Sequence, residues 1–89
     1  MKRNFDQLAE CMKALGHPIR LQIVEGLIKD ECNVSEIQHK LKLPQSTISQ
    51  HLRILKNADI ITNRREGNKV CYKVLDHWVK EIIKESQNE

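Results

Sequence analysis

Between Leu43 and Leu52 the chain reads LPQSTISQHL, a stretch with hydroxyls, amides and an imidazole and no acid. Ser46, Ser49 and His51 invite a nucleophile–base reading. Residues 49 and 51 diverge by about 200° around a helix axis, however, and no carboxylate lies nearby in sequence to orient the imidazole. The chemistry that does suit the set is recognition. Glutamine bonds adenine through two contacts, and serine or threonine bonds bases or phosphates. Gln45, Ser46, Thr47, Ser49, Gln50 and His51 are therefore the residues expected to meet DNA. A structural role for Ser46 and Thr47, as first-turn residues satisfying backbone donors, is compatible with this.

Charge supports that partner. The chain's formal net charge is only +3, but residues 37–74 hold eight bases and two acids. The bases are Lys40, Lys42, Arg53, Lys56, Arg64, Arg65, Lys69 and Lys73, and the acids Asp59 and Glu66. A basic face of this kind is the footprint of phosphate binding. Arg64, Arg65 and Lys69 fall at one turn and are expected to enter a minor groove or pair with phosphate. Lys42, Arg53 and Lys56 are weaker phosphate contacts. With only Phe5, Tyr72 and Trp78 aromatic, base stacking on an aromatic platform is excluded.

Three cysteines, Cys11, Cys32 and Cys71, are an odd number at no metal-motif spacing. Reduced thiols in a cytoplasmic protein are the expectation, with no disulfide framework. No signal-peptide pattern follows Met1, and no window approaches the ~18 apolar residues of a membrane span.

Eighty-nine residues make one small domain. Helical apolar spacing predicts helices over 3–15, from Pro18 to about Ile28, from Ser35 to about Leu41, and over 45–57. Ser35 and Gln38 have capping-box form. Lys42-Leu43-Pro44 is a tight turn. Ile48, Leu52 and Leu55 face inward, and Ile54 widens that stripe. The period then becomes 2: residues 61–65 and 69–74 read as strands around Glu66-Gly67-Asn68. A last helix spans 76–86, and Gln87-Asn88-Glu89 frays. The expected fold is mainly α with a β-hairpin, in the order α-α-α-α-β-β-α, as one winged helix-turn-helix domain over 1–89.

Several stretches carry a family resemblance. They are Leu15-Gly16-His17-Pro18-Ile19-Arg20-Leu21-Gln22-Ile23-Val24, Val34-Ser35-Glu36-Ile37, and Gln45-Ser46-Thr47-Ile48-Ser49-Gln50-His51-Leu52. Ala58-Asp59-Ile60-Ile61 and Arg65-Glu66-Gly67-Asn68-Lys69-Val70-Cys71-Tyr72 complete the set. Together they resemble the bacterial ArsR/SmtB transcriptional repressors over roughly residues 8 to 75. Cys71 stands where many relatives have a second aromatic. The resemblance implies a homodimeric repressor on a palindromic double-stranded DNA operator. Its first and last helices would form the interface, through Phe5, Leu8, Met12, Trp78, Val79, Ile82 and Ile83. The apolar stripes of those helices agree, although the same residues could instead cover the protomer's own core.

The usual sensor sites of that family are not matched. A Cys-x-Cys pair would fall on Asn33 and Ser35. On the last helix Asp76 and His77 are adjacent, about 100° apart, and read as a solvated helix start. The second and last helices lack the cysteine pair of thiol-sensing relatives. A pairing of Cys11 with Cys71 would need Cα atoms within about 7 Å. His17 reads as a turn residue and His39 as solvent-facing. What remains resembles the branch without the usual metal sites, which includes regulators of virulence and nodulation genes. No metal, no cofactor and no enzymatic activity are expected. Two alternatives stay open: a metal- or thiol-responsive repressor of this fold, and a protein-interaction winged helix without DNA binding.

Overall fold

The structure, a computed structural model, describes residues 3–88. Its elements follow the expected order: α1 (Phe5–Leu15), α2 (Pro18–Lys29), α3 (Val34–Leu41), α4 (Gln45–Asn57), β1 (Ile61–Glu66), β2 (Lys69–Val74) and α5 (His77–Gln87). The fold is a winged helix-turn-helix. Among the described residues, no helix is long and apolar enough to cross a membrane.

Capping chemistry sets the helix starts. Asn4 Oδ1 accepts from the Gln7 backbone N–H at 2.7 Å, and Gln7 Oε1 accepts from the Asn4 N–H at 3.1 Å. This reciprocal pair starts α1 at Phe5 rather than Arg3. His17 Nδ1 accepts from Ile19 N–H at 3.1 Å, and Pro18 occupies the first position of α2, where its missing N–H costs nothing. The capping box expected of Ser35 and Gln38 does not form. The helix begins one residue earlier, with Asn33 at its N-cap and no side-chain cap bond. Helix α5 runs on through Gln87, and Glu89 lies outside the described residues.

The core gathers around α2. Ile23, Val24 and Leu27 meet Ile48, Leu52 and Leu55 of α4, Ile37 of α3, Cys11, Ala14 and Leu15 of α1, and Val79 and Ile83 of α5. Gly26 lets α3 approach closely: a Cβ there would stand 2.6 Å from Ile37 Cδ1. Ile54 departs from expectation and is 41% exposed, because the inward arc of α4 is already filled by Ile48, Leu52 and Leu55.

The turn between α3 and α4 closes through Lys42, which takes a left-handed conformation (φ 56°) and donates its N–H to Gln38 and His39 carbonyls. The hairpin pairs Ile61 with Val74 through Glu66 with Lys69, in antiparallel register. Gly67, at φ +61°, supplies the positive φ that a primed two-residue turn requires. On the far edge of β2 the Tyr72 N–H donates to Glu31 O at 3.0 Å, so the α2–α3 loop runs alongside the wing.

Candidate nucleic-acid interface

The turn at Lys42-Leu43-Pro44 delivers the N-terminus of α4 to the surface. Ile48, Leu52 and Leu55 anchor one side of that helix in the core. Gln45, Ser46, Ser49, Gln50, Arg53 and Lys56 are left exposed, and Thr47 is half-buried. Gln45, Ser49, Arg53 and Lys56 lie within an arc of about 80°. No side chain caps the first turn of α4, so neither Ser46 nor Thr47 serves there as an N-cap. The uncapped N-terminus offers backbone donors and a positive dipole end to an anion.

His51, expected to meet DNA, also makes contacts within the fold. It is half-buried, with Nδ1 3.3 Å from Arg20 Nη1 and its ring centroid 4.8 Å from that of His17. Arg20 in turn donates to Ala14 O at 2.6 Å. Burial, then the neighbouring His17 and Arg20, push the His51 pKa below its ordinary value. A neutral ring accepts from the guanidinium and ties α4 to the start of α2. That contact holds His51 beside the exposed residues of α4.

The wing also sorts its cations. Arg65 and Lys69 are exposed and make no ion pair among the described residues, as is true of Lys42, Arg53 and Lys56. Arg64, expected to contact DNA, is exposed and also pairs with two carboxylates. Its Nε donates to Glu66 Oε2 at 2.7 Å and its Nη1 to Glu31 Oε1 at 3.2 Å. Glu31 is 33 residues away in sequence. Between α3, α4 and the hairpin runs a cleft lined by Cys32, Ser35, Gln45, Ser49, Lys69 and Tyr72.

The cysteines correct the sequence reading. Cys32 and Cys71 form a disulfide, with Cα atoms 4.4 Å apart, which falls in the range such bonds span. The physical reason is the loop alongside β2: the bond from Tyr72 to Glu31 sets their neighbours, Cys71 and Cys32, side by side. Glu66 Oε1 lies 3.4 Å from Cys71 Sγ. Cys32, Cys71 and Glu66 form the one group among the described residues that brings three such potential metal ligands together, and the disulfide engages both sulfurs. Cys11, whose pairing with Cys71 was the option open in sequence, is free and buried. Burial pushes its thiol pKa up.

Asp76 is the residue that sequence reasoning most undervalued. Expected at a solvated helix start, it is only 7% exposed. Its Oδ1 accepts from Trp78 and Val79 N–H groups at 3.0 and 3.3 Å, and its carboxylate pairs with Arg3. An Asp directly before an apolar helical stripe is an N-cap signal, and that signal was present. His77 is exposed beside Glu81, its Nε2 3.7 Å from Oε1.

Of the seven interface residues expected, Val79 (0% exposed) and Ile83 (7%) pack into the protomer's own core. Phe5 (88%), Met12 (55%), Trp78 and Ile82 (37% each) stay exposed, with Leu8 half-buried and Leu75 a further exposed apolar residue. The Arg3–Asp76 pair and the 3.8 Å approach of Cys11 Sγ to Asp76 Oδ2 bring α1 and the start of α5 together.

Comparison with known proteins agrees with this geometry. The family described as "Bacterial regulatory protein, arsR family" matches residues 17–63. The transcriptional repressor SmtB of Mycobacterium tuberculosis is 38% identical over 78 residues, which is 88% of this chain and 58% of the relative. The chain thus spans little more than half of that protein's length. The crystal structure of the transcriptional repressor PagR of Bacillus anthracis superposes with a TM-score of 0.81 at 38% identity, covering 92% of this chain and 94% of PagR. The solution structure of the homodimeric winged helix-turn-helix DNA-binding domain Mb0332 from Mycobacterium bovis gives a TM-score of 0.81 at 32% identity, covering 92% and 76%. The chain belongs to the arsR family of bacterial regulatory proteins.

Proposed function

We propose that this chain is a sequence-specific DNA-binding transcriptional repressor that acts in the cytoplasm as a homodimer on a palindromic operator. The observation that carries the reading is the exposed, acid-free first half of α4 beside a wing whose Arg65 and Lys69 are unpaired among the described residues. The N-terminal turns of α4 enter the major groove, where Gln45, Ser49 and Gln50 meet base edges. Ser46, Thr47 and the helix N-terminus address phosphate. Arg53, Lys56 and Lys42 flank that contact, and Arg65 and Lys69 reach the neighbouring backbone or minor groove. Two such helices read half-sites about 34–36 Å apart when the protomers are related by a two-fold axis. Phe5, Met12, Trp78 and Ile82, with Leu8 and Leu75 beside them, supply the apolar surface for that pairing.

The test is operator discrimination. Gln45→Ala with Ser49→Ala lowers affinity for a selected operator by roughly tenfold or more, on the basis of about 1–3 kcal/mol for a bidentate base contact. Affinity for unrelated duplex changes little in the same variant. Equal loss on both duplexes, or no loss, would remove α4 from base recognition.

A further inference from the structure

We propose that Cys32 and Cys71 are a reversible thiol–disulfide site, with Cys32 the sulfur that exchanges with small thiols and disulfides, and that its state controls how the wing engages DNA. The regulatory half rests on the DNA-binding reading above; the exchange chemistry does not.

Access assigns the two roles. Cys32 is exposed on the α2–α3 loop, whereas Cys71, on β2 of the wing, is 1% exposed. An external thiolate therefore reaches the Cys32 sulfur. Glu66 Oε1, 3.4 Å from Cys71 Sγ, has no proton to accept from the disulfide. Once the bond opens, Cys71 takes a proton and its thiol donates to that carboxylate. With Cys71 covered and Cys32 open to solvent, Cys32 is the nucleophile toward an incoming disulfide.

The steps balance. The Cys32 thiolate attacks one sulfur of a small disulfide RSSR, forming Cys32–S–SR and releasing RS⁻. Cys71 then loses its proton to water, and its thiolate attacks Cys32 Sγ, expelling the second RS⁻. Two electrons pass from the protein to RSSR, giving the protein disulfide and, after protonation, two RSH. Two small thiols reverse the sequence.

Position gives the chemistry its consequence. Cys71 lies directly opposite Arg64 in the hairpin ladder, and Cys32 immediately precedes the α3 N-cap. The disulfide, the Tyr72-to-Glu31 backbone bond and the exposed Arg64–Glu31 pair form one seam between loop and wing. Only the first is covalent. Cys32 also lines the cleft shared by Gln45, Ser49 and Lys69. In the disulfide state the seam pins the wing with Arg64 turned to carboxylates; in the dithiol state the wing is released and Arg64 can exchange Glu31 for phosphate. A cytoplasmic disulfide in such a place is a sensing element rather than a permanent staple.

Two readouts test this. Treated with glutathione disulfide, Cys71→Ala accumulates a glutathione adduct mapped by peptide mass to Cys32, while Cys32→Ser stays unmodified at Cys71. Modification of Cys71 in Cys32→Ser at a comparable rate would overturn the assigned roles. On a selected operator, the dithiol wild type binds at least about fivefold tighter than the disulfide form. Cys32→Ser keeps the dithiol affinity in either redox buffer. Equal affinity of the two wild-type states overturns the coupling. Failure of both states to bind any duplex would overturn the DNA reading instead, with the adduct mapping still deciding the exchange site.

Discussion

Replacing Asp76 by alanine tests how the structure starts α5 and holds α1 beside it. The carboxylate caps two backbone N–H groups, at 3.0 and 3.3 Å, and pairs with Arg3. Loss of an N-cap costs about 1 kcal/mol. The ion pair lies between surface and buried cases, since the Asp76 side chain is 4% exposed and that of Arg3 33%. Its loss adds about 1–2 kcal/mol, because the freed Arg3 can turn to water. Asp76→Ala should therefore lose about 2–3 kcal/mol, a fall in Tm of roughly 10–20 °C for a domain of this size. Thermal and urea unfolding at one fixed protomer concentration measures it, since dimerisation otherwise moves the midpoint. Arg3→Ala leaves the cap and should lose about 1 kcal/mol, and the double variant should reveal a coupling of about 1 kcal/mol. Asp76→Ala within about 0.5 kcal/mol of wild type, with no coupling to Arg3, would refute the reasoning.

Other perturbations read other parts of the fold. Gly26→Ala gains about 1 kcal/mol of helix propensity but drives a methyl against Ile37 Cδ1, so unfolding in urea should record a net loss of about 1–2 kcal/mol. His51, with its folded pKa below the ordinary 6.5, leaves stability intact above that pH. As pH falls below about 6.5 the unfolded chain takes the proton first and stability drops. His51→Gln should flatten that decline between about pH 8 and 5, and an unchanged slope would contradict it. Trp78→Ala with Ile82→Ala should raise the dimer dissociation constant by tenfold or more in sedimentation equilibrium, on the basis of about 1.5–3 kcal/mol for each buried large apolar side chain; a dimer of unaltered strength would move the interface off α5.

Much of the architecture was legible because it is local. The stripes Ile23, Val24, Leu27 and Ile48, Leu52, Leu55 announce α2 and α4, and the change of period after Asp59 announces the hairpin. The exposed half of α4 follows directly from the positions of its buried residues. What was missed depends on distant segments meeting. Cys32 and Cys71 are 39 residues apart and meet only because the α2–α3 loop lies along β2. The same meeting places Glu31 on Arg64 and removes that arginine from the free cations of the wing. Val79 and Ile83 belong to the core and not to the outer face, a division that periodicity alone leaves open when a helix is apolar over more than one stripe. The α3 start was misplaced because Ser35 and Gln38 had the right spacing but Asn33 took the N-cap.

The proposed operator binding by α4 and the wing rests on cations that make no ion pair among the described residues. Its most direct test is the salt dependence of affinity for a selected operator, for wild type and for Arg65→Ala with Lys69→Ala. Each phosphate contact contributes about 0.9 to the slope of log affinity against log salt, so the wild type should show a steep fall. The double variant should show a slope shallower by roughly 1.8 per protomer engaged. A salt-insensitive wild type, or a variant with an unaltered slope, would contradict the account.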